Sequence, residues 1–181
     1  MMRRLLTILL FSVMSAWAVN AYAQLISVKT NVLMDALMVP NLDISVTTGK
    51  STAISASVFG SKKVLGNKVD MWGVKPEFRY WISGRTFTGY FVGVSAMGVS
   101  YDIKWKREIY KGDAFGGGLI FGYDVYLGKH WTLDLHGGFG ALYYRQQAYL
   151  EGDKIVGKDY RENGVVSVPY DLGVSVVYIF K

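Results

Sequence analysis

The chain has 181 residues, no cysteine, a formal net charge of +6 at neutral pH and an aromatic content of 15%. Its length predicts one domain, and the missing cysteine excludes disulfides and thiolate chemistry. Beyond residue 23, no uninterrupted apolar run approaches the ~20 residues that a membrane helix requires. A mature chain embedded in a membrane therefore has to cross it as a β-barrel.

The first 23 residues are predicted to be a signal peptide. Arg3 and Arg4 precede an apolar run over residues 5–13, and Ala21-Tyr22-Ala23 supplies the small residues of a signal-peptidase site. An uncleaved membrane anchor is the alternative, but the apolar run is short for a spanning helix. Cleavage after Ala23 leaves residues 24–181 as an exported domain and lowers the formal charge from +6 to +4, because Arg3 and Arg4 are removed.

Period-two alternation of apolar and polar residues predicts eight strands along the mature chain. In chain order they cover residues 25–33, 40–48, 52–60, 73–82, 88–101, 114–127, 131–147 and 165–181. The connections near residues 49, 84 and 129 are short, whereas those at 61–70, 102–113 and 150–164 are long and polar. Such alternation is typical of an outer-membrane barrel, with short periplasmic turns and long outward loops. The connection 34–39 departs from it, because it should face outward yet is short and fairly apolar.

Alternation is clearest over residues 73–82, GVKPEFRYWI. Its charged side carries Lys75, Glu77 and Arg79, and the other side is apolar or aromatic. This pattern fits either a soluble sheet or a transmembrane strand with its charges in the lumen. The apolar side, with the residue before it, consists of Trp72, Val74, Pro76, Phe78, Tyr80 and Ile82.

Aromatic residues on the apolar faces favour the membrane alternative, because they cluster at both strand ends like interfacial girdles. Those near the long loops are Trp72, Phe115, Tyr143 and Tyr170, and those near the short turns are Tyr80, Tyr90, Trp131, Tyr178 and Phe180. The ending Tyr178-Ile179-Phe180 is similar to the signal read by the barrel-assembly machinery, although Lys181 follows it. We therefore predict an all-β fold, an eight-stranded antiparallel up-and-down transmembrane β-barrel. A soluble periplasmic barrel with an apolar ligand inside is the alternative.

Charged residues on the opposite faces are predicted to form a lumen network of ion pairs. An eight-stranded barrel is just wide enough to be filled by side chains, and charges in so narrow a lumen have to be paired. We expect a plugged lumen rather than a pore; an anionic ligand held by this charged face is the alternative. The predicted network comprises Lys29, Asp43, Lys75, Glu77, Arg79, Asp124, Asp134 and His136.

Asp134 and His136 point to the same side of one strand, and a His beside a carboxylate can act as a general base. An outer-membrane hydrolase acting on lipid or peptide is therefore an alternative, but no motif marks a nucleophile and no enzyme is predicted. The glycine runs 116–118 and 137–140 lie inside predicted strands, unlike phosphate loops. No cluster has metal-ligand spacing, so neither metal nor cofactor is predicted.

Two of the long loops are predicted to carry a basic patch with Trp105 and Tyr110 interleaved. Lipopolysaccharide phosphates or an acidic polysaccharide are its candidate ligands, and a merely solvated loop is the alternative. Nucleic acid is not an expected partner of an exported chain. The patch comprises Lys62, Lys63, Lys68, Lys104, Lys106, Arg107 and Lys111.

Three motifs carry a family resemblance: Lys29-Thr30-Asn31, Pro40-Asn41-Leu42 and Lys75-Pro76-Glu77-Phe78-Arg79-Tyr80-Trp81. With them, most of the mature chain resembles a family of small exported barrels classed only as a domain of unknown function. Its members occur in Gram-negative gut and oral anaerobes, often near fimbrial genes. The resemblance implies a structural, adhesion or surface-assembly role, with fimbrial or other surface proteins as partners. In architecture alone, the chain is also similar to the OmpA-type membrane domain, which transfers no function.

Overall fold

A computed structural model describes residues 25–64, 67–105, 108–150 and 161–180. The predicted signal peptide and its cleavage site lie outside these residues. Eight antiparallel strands follow one another around a closed barrel, in which β8 pairs with β1. This confirms the predicted eight-stranded up-and-down barrel. The elements are β1 (Ile26–Asn31), α1 (Val32–Ala36), β2 (Asn41–Thr47), β3 (Thr52–Val64), β4 (Asn67–Trp81), β5 (Gly89–Trp105), β6 (Glu108–Tyr126), β7 (Trp131–Leu150) and β8 (Arg161–Phe180).

Period-two alternation separates the two faces of the barrel wall, because successive side chains of a strand point to opposite sides. On β4, the side chains of Glu77 and Arg79 lie inside and are 3% and 5% exposed. Their neighbours Trp72, Phe78 and Tyr80 lie outside and are exposed. The charged face of this strand is thus the inner one.

Two of the predicted long loops are largely strand. β3 and β4 continue to Val64 and from Asn67, and β5 and β6 continue to Trp105 and from Glu108. β8 also begins earlier than predicted, at Arg161. Main-chain hydrogen bonds extend these hairpins beyond the apolar outer surface, where charged residues such as Asp102 and Lys111 replace apolar ones. The sequence therefore resembles a polar loop there, although the strands continue. We call this end of the barrel the long-hairpin end, and the opposite end, with connections 48–51, 82–88 and 127–130, the short-turn end.

The first strand ends at Asn31, two residues before its predicted end, because Asn31 caps the short helix α1. Its Oδ1 accepts hydrogen bonds from the backbone N–H groups of Leu33 and Met34 at 3.0 and 3.3 Å. The side chain of Asn41 closes the hairpin by accepting from the Asn31 N–H at 2.7 Å and donating to its carbonyl at 3.1 Å. The connection predicted at 34–39 therefore contains most of a helix.

A β-bulge in β8 turns Tyr170 inward, so the prediction that it faces outward is wrong. Asp171 lies opposite Gly138, whereas Val168 lies opposite Gly140, so β8 carries one extra residue here. An extra residue interrupts the alternation of faces. The Tyr170 hydroxyl consequently contacts the hydroxyl of Ser95, a buried inner residue of β5.

The connection between β4 and β5 covers residues 82–88, which is longer than the predicted turn at 83–85, and carries Phe87 into the barrel interior. Phe87 adopts a positive φ of 59°, and its ring centroid lies 5.3 Å from that of Trp81. Trp81 in turn packs on Phe91 at 5.8 Å. These rings form the largest part of the apolar cluster inside the short-turn end.

We expect Phe87→Ala to lower the free energy of unfolding by about 3 kcal/mol, because it leaves a cavity against Trp81. Ile82→Ala in the same connection is the matched control, since Ile82 is 62% exposed, and we expect a clearly smaller loss. The measurement is denaturant unfolding of the detergent-refolded protein followed by tryptophan fluorescence. Equal losses in the two variants would contradict this role of Phe87.

Candidate functional site

A network of buried ion pairs occupies the barrel interior, centred on β4. Arg79 contacts Glu77 through Nε and donates from Nη1 to the Asp134 Oδ2 atom at 2.6 Å. The Lys29 ammonium lies 3.5 Å from Asp134, 3.6 Å from Glu77 and 3.8 Å from Asp43. Each of these side chains is less than a tenth exposed, so the pairs replace contacts with water.

A second part of the network lies nearer the long-hairpin end. Lys75 donates to Asp171 at 2.5 Å and lies 3.5 Å from Glu77. His136 lies between two carboxylates, with Nδ1 2.9 Å from Asp134 and Nε2 3.5 Å from Asp171. The predicted network lacks Asp171, although period-two alternation from Tyr178, a residue predicted to face outward, places Asp171 inside.

Asp124 belongs to the same interior but not to the ion pairs. It lies opposite Asp134 in the β6–β7 register and accepts a hydrogen bond from the indole Nε1 of Trp81 at 2.7 Å. Among the described residues, no cationic group approaches its carboxylate within 4.0 Å. The structure therefore brings together all eight residues of the predicted network, with Asp124 bound to a neutral partner.

The arrangement around His136 holds the imidazole in place on both sides. A Cβ atom on Gly173 would lie 2.6 Å from the ring, so only glycine at that position leaves the ring its room. In the described part of the chain, no hydroxyl group forms a hydrogen bond with His136. Asp134 and His136 thus form a pair without the serine that acyl transfer by a Ser–His pair would use.

A cavity of about 370 Å³ lies between this network and the long-hairpin end. Its walls are largely apolar and include Phe59, Met71, Met97 and Val99, and Met34 of α1 also lines it. Its floor is formed by members of the charge network, namely Lys29, Asp43, Lys75, His136 and Asp171. The cavity therefore combines an apolar wall with a polar floor, a composition suited to a small organic ligand.

The predicted basic patch lies largely on strands rather than in loops. Lys62 and Lys63 are exposed in β3, and Lys111 is exposed in β6, 3.9 Å from Asp102. Lys68 lies in β4 and Lys104 in β5. Lys106 and Arg107 lie outside the described residues.

The described ranges contain neither a metal-binding cluster of side chains nor a helix able to cross a membrane. Within residues 25–64, 67–105, 108–150 and 161–180, no group of three or more His, Asp or Glu side chains is arranged to hold a metal ion. No helix in the same ranges combines the length and the apolar character needed to cross a membrane.

We expect Glu77→Gln to lower the free energy of unfolding by about 3 kcal/mol, because three neighbouring cations then lose a buried counter-charge. Asp43→Asn is the matched control, since the carboxylate of Asp43 makes a single ion pair, at 3.8 Å, and we expect a clearly smaller loss. Both are measured by denaturant unfolding. A neutral Glu77→Gln variant would contradict the central place of Glu77.

Comparison with known proteins places the chain in a family without assigning it a role. No curated protein and no solved structure matches it significantly. One family model, described as "Protein of unknown function (DUF3575)", matches residues 6–180. The resemblance to a family classed by unknown function is thereby confirmed, while the link to Gram-negative anaerobes and fimbrial genes stays a prediction. The chain belongs to the DUF3575 family of proteins of unknown function.

Proposed function

We propose that this protein is an integral outer-membrane β-barrel, exported by its signal peptide, with a structural, adhesion or surface-assembly role. The observation that carries the proposal is an inverted distribution of polarity. Among the described residues, eighteen polar or charged residues are buried, against nine apolar ones. A barrel surrounded by water buries its apolar face instead, so the inverted arrangement supports a surrounding of lipid.

The outer face of the barrel supports the same proposal. Leu119, Phe121, Phe139 and Leu172 are each about 60% exposed or more. Leu119 lies directly opposite Phe139 in the β6–β7 ladder, so these side chains form a continuous surface rather than isolated positions. Soluble monomers rarely expose so extended an apolar patch.

The apolar outer surface has an edge toward the long-hairpin end. On the outer face of β6, Phe115 is followed by Asp113 and Lys111, and on β7 Tyr143 is followed by Arg145. Phe115 and Tyr143 lie opposite each other, with ring centroids 5.3 Å apart. A change from aromatic to charged residues at one level supports a membrane–water interface there.

A second aromatic row lies at the short-turn end. Tyr90 packs on Tyr123 at 4.7 Å, and Tyr178 packs on both Trp131 and Phe180 at 4.9 Å. On β4, the two levels are marked by Trp72 and Tyr80, eight residues apart. At ~3.3 Å per residue and a tilt near 40°, they are separated by roughly 20 Å along the barrel axis. This separation is close to the thickness of an outer-membrane apolar band.

The filled interior supports a plugged lumen rather than a pore. Between the ion pairs and the aromatic cluster, the free space bordered by Arg79, Trp81 and Asp124 amounts to about 10 Å³. That is no more than room for one water molecule. Contacts with macromolecular partners and with the membrane are then made by the outer surface, where lipid and lipopolysaccharide surround the barrel, and by the long hairpins, where fimbrial or other surface proteins bind.

We expect the expressed protein to be recovered with the outer membrane and to migrate faster on gels before boiling than after it. The physical reason is that a barrel closed by main-chain hydrogen bonds between neighbouring strands resists detergent at room temperature. The measurement is membrane fractionation followed by electrophoresis of boiled and unboiled samples. Recovery as a soluble protein without detergent would overturn the proposal.

We expect Leu119→Arg to lower the free energy of unfolding in lipid vesicles by about 2–4 kcal/mol, because Leu119 lies midway between the two aromatic rows. Val165→Arg is the matched control. Val165 is 71% exposed and lies opposite Tyr143 at the edge of the apolar surface, where the expected loss is ~0–1 kcal/mol. Equal losses in the two variants would contradict a membrane whose midplane lies at the level of Leu119.

A further inference from the structure

The barrel wall is incomplete on one side of the long-hairpin end. β1 and β2 are much shorter than the other strands, so β1 pairs with residues 175–180 of β8 and β2 pairs with residues 53–59 of β3. Beyond these levels, β8 continues to Arg161 and β3 continues to Val64. Among the described residues, no strand fills the space between these two edges. We call this space the wall gap.

The short helix α1 lies at the wall gap and covers part of it. The capping residue Asn31 also donates from Nδ2 to the carbonyl of Leu172 at 3.2 Å, which satisfies one main-chain acceptor on the open edge of β8. Met34 of α1 lines the cavity. Nearby, Val32 and Met38 are exposed on the outside, so α1 and the residues after it lie between the cavity and the surroundings of the barrel.

The polar floor of the cavity restricts what can bind there. Lys75 is already paired with Asp171, and Lys29 with Asp43 and two further carboxylates. His136 is enclosed by two carboxylates. Lys29, Asp43, Lys75 and Asp171 each already lie within 4.0 Å of an opposite charge. A ligand bringing a full charge would therefore compete with these pairs and lose its own hydration. A hydroxyl group can donate to the floor carboxylates and accept from the floor ammonium groups, whereas an ester can only accept.

We infer that the cavity binds a single-chain amphiphile with an uncharged polar end, and that this ligand enters through the wall gap past α1. The polar end lies on the floor at Lys75 and Asp171, and the apolar chain packs along Phe59, Met71 and Met97. The volume of about 370 Å³ lies within the range of small-molecule sites. Entry from a lipid surrounding rests on the proposed membrane location, whereas the binding site itself does not.

The methionines provide a direct test. Residues 24–181 contain four of them, of which Met34, Met71 and Met97 line the cavity and Met38 is exposed on the outside. The protein is labelled with ¹³C at its methionine methyl groups, placed in phospholipid nanodiscs and titrated with 1-decanol, decanoate or decyltrimethylammonium. We expect 1-decanol to shift the three cavity signals saturably and the Met38 signal far less. Decanoate and decyltrimethylammonium should leave the cavity signals in place.

Two matched variants of β5 separate binding in the cavity from partition into lipid. Val99→Trp fills the cavity while keeping all four reporters, and it should weaken 1-decanol binding about tenfold or more. Ala96→Trp lies on the outer face of the same strand and should leave binding unchanged. Equal shifts of all four signals, insensitivity to Val99→Trp, or equally tight binding of the charged chains would each overturn the inference.

The entrance has its own pair of variants. Met34→Ala removes the α1 side chain that borders the cavity, so the exchange rate of 1-decanol, read from the Met71 and Met97 line shapes, should rise several-fold. Met38→Ala should leave it unchanged; equal rates in both variants would overturn the entrance at the wall gap. A failure of the proposed membrane location can be told apart from a failure of this inference. A protein that proves soluble without detergent can still be titrated with 1-decanol in buffer.

Discussion

The contact of Arg79 with Glu77 and Asp134 is the interaction on which the rest of the interior depends. It joins β4 to β7, and the same carboxylates hold Lys29 of β1. The ion pairs therefore connect strands across the barrel, and one of these strands, β1, closes the barrel by pairing with β8. Buried pairs of this kind add little net stability over apolar packing. They do penalise other registers strongly, because a slip of one residue moves every inner side chain of a strand to the outer face.

The two ends of the barrel differ in what lies against these ion pairs. Toward the short-turn end, Phe87 turns back from its connection and packs with Trp81, whose indole N–H also donates to one carboxylate oxygen of Asp124. Toward the long-hairpin end, the shortness of β1 and β2 leaves a cavity above the charges and a gap in the wall beside it. The short-turn end is therefore filled with aromatic side chains, whereas the long-hairpin end retains space for a ligand.

The proposed membrane location and the proposed ligand site draw on the same physical constraint. An apolar outer face is compatible with a polar inner face only if the inner charges satisfy one another, as Lys75 and Asp171 do. Because those charges are already neutralised, the cavity floor is polar without carrying a free charge. An uncharged amphiphile suits both its floor and its apolar walls, and the lipid of the proposed membrane location is also where such molecules concentrate.

Period-two alternation by itself determined the number of strands and that Lys75, Glu77 and Arg79 share one face, because the strand period is the same wherever the strand lies. It failed wherever a residue departs from that period or where charged residues occupy the outer face. The bulge that turns Tyr170 inward, the loop that returns Phe87 and the full length of the hairpins depend on pairing with neighbouring strands. Only the tertiary structure decided that Asp171 faces Lys75 and His136 and that the indole of Trp81 donates to Asp124, since these contacts join residues far apart in the chain. The gap beside the short first strands likewise depends on how far the neighbouring strands continue.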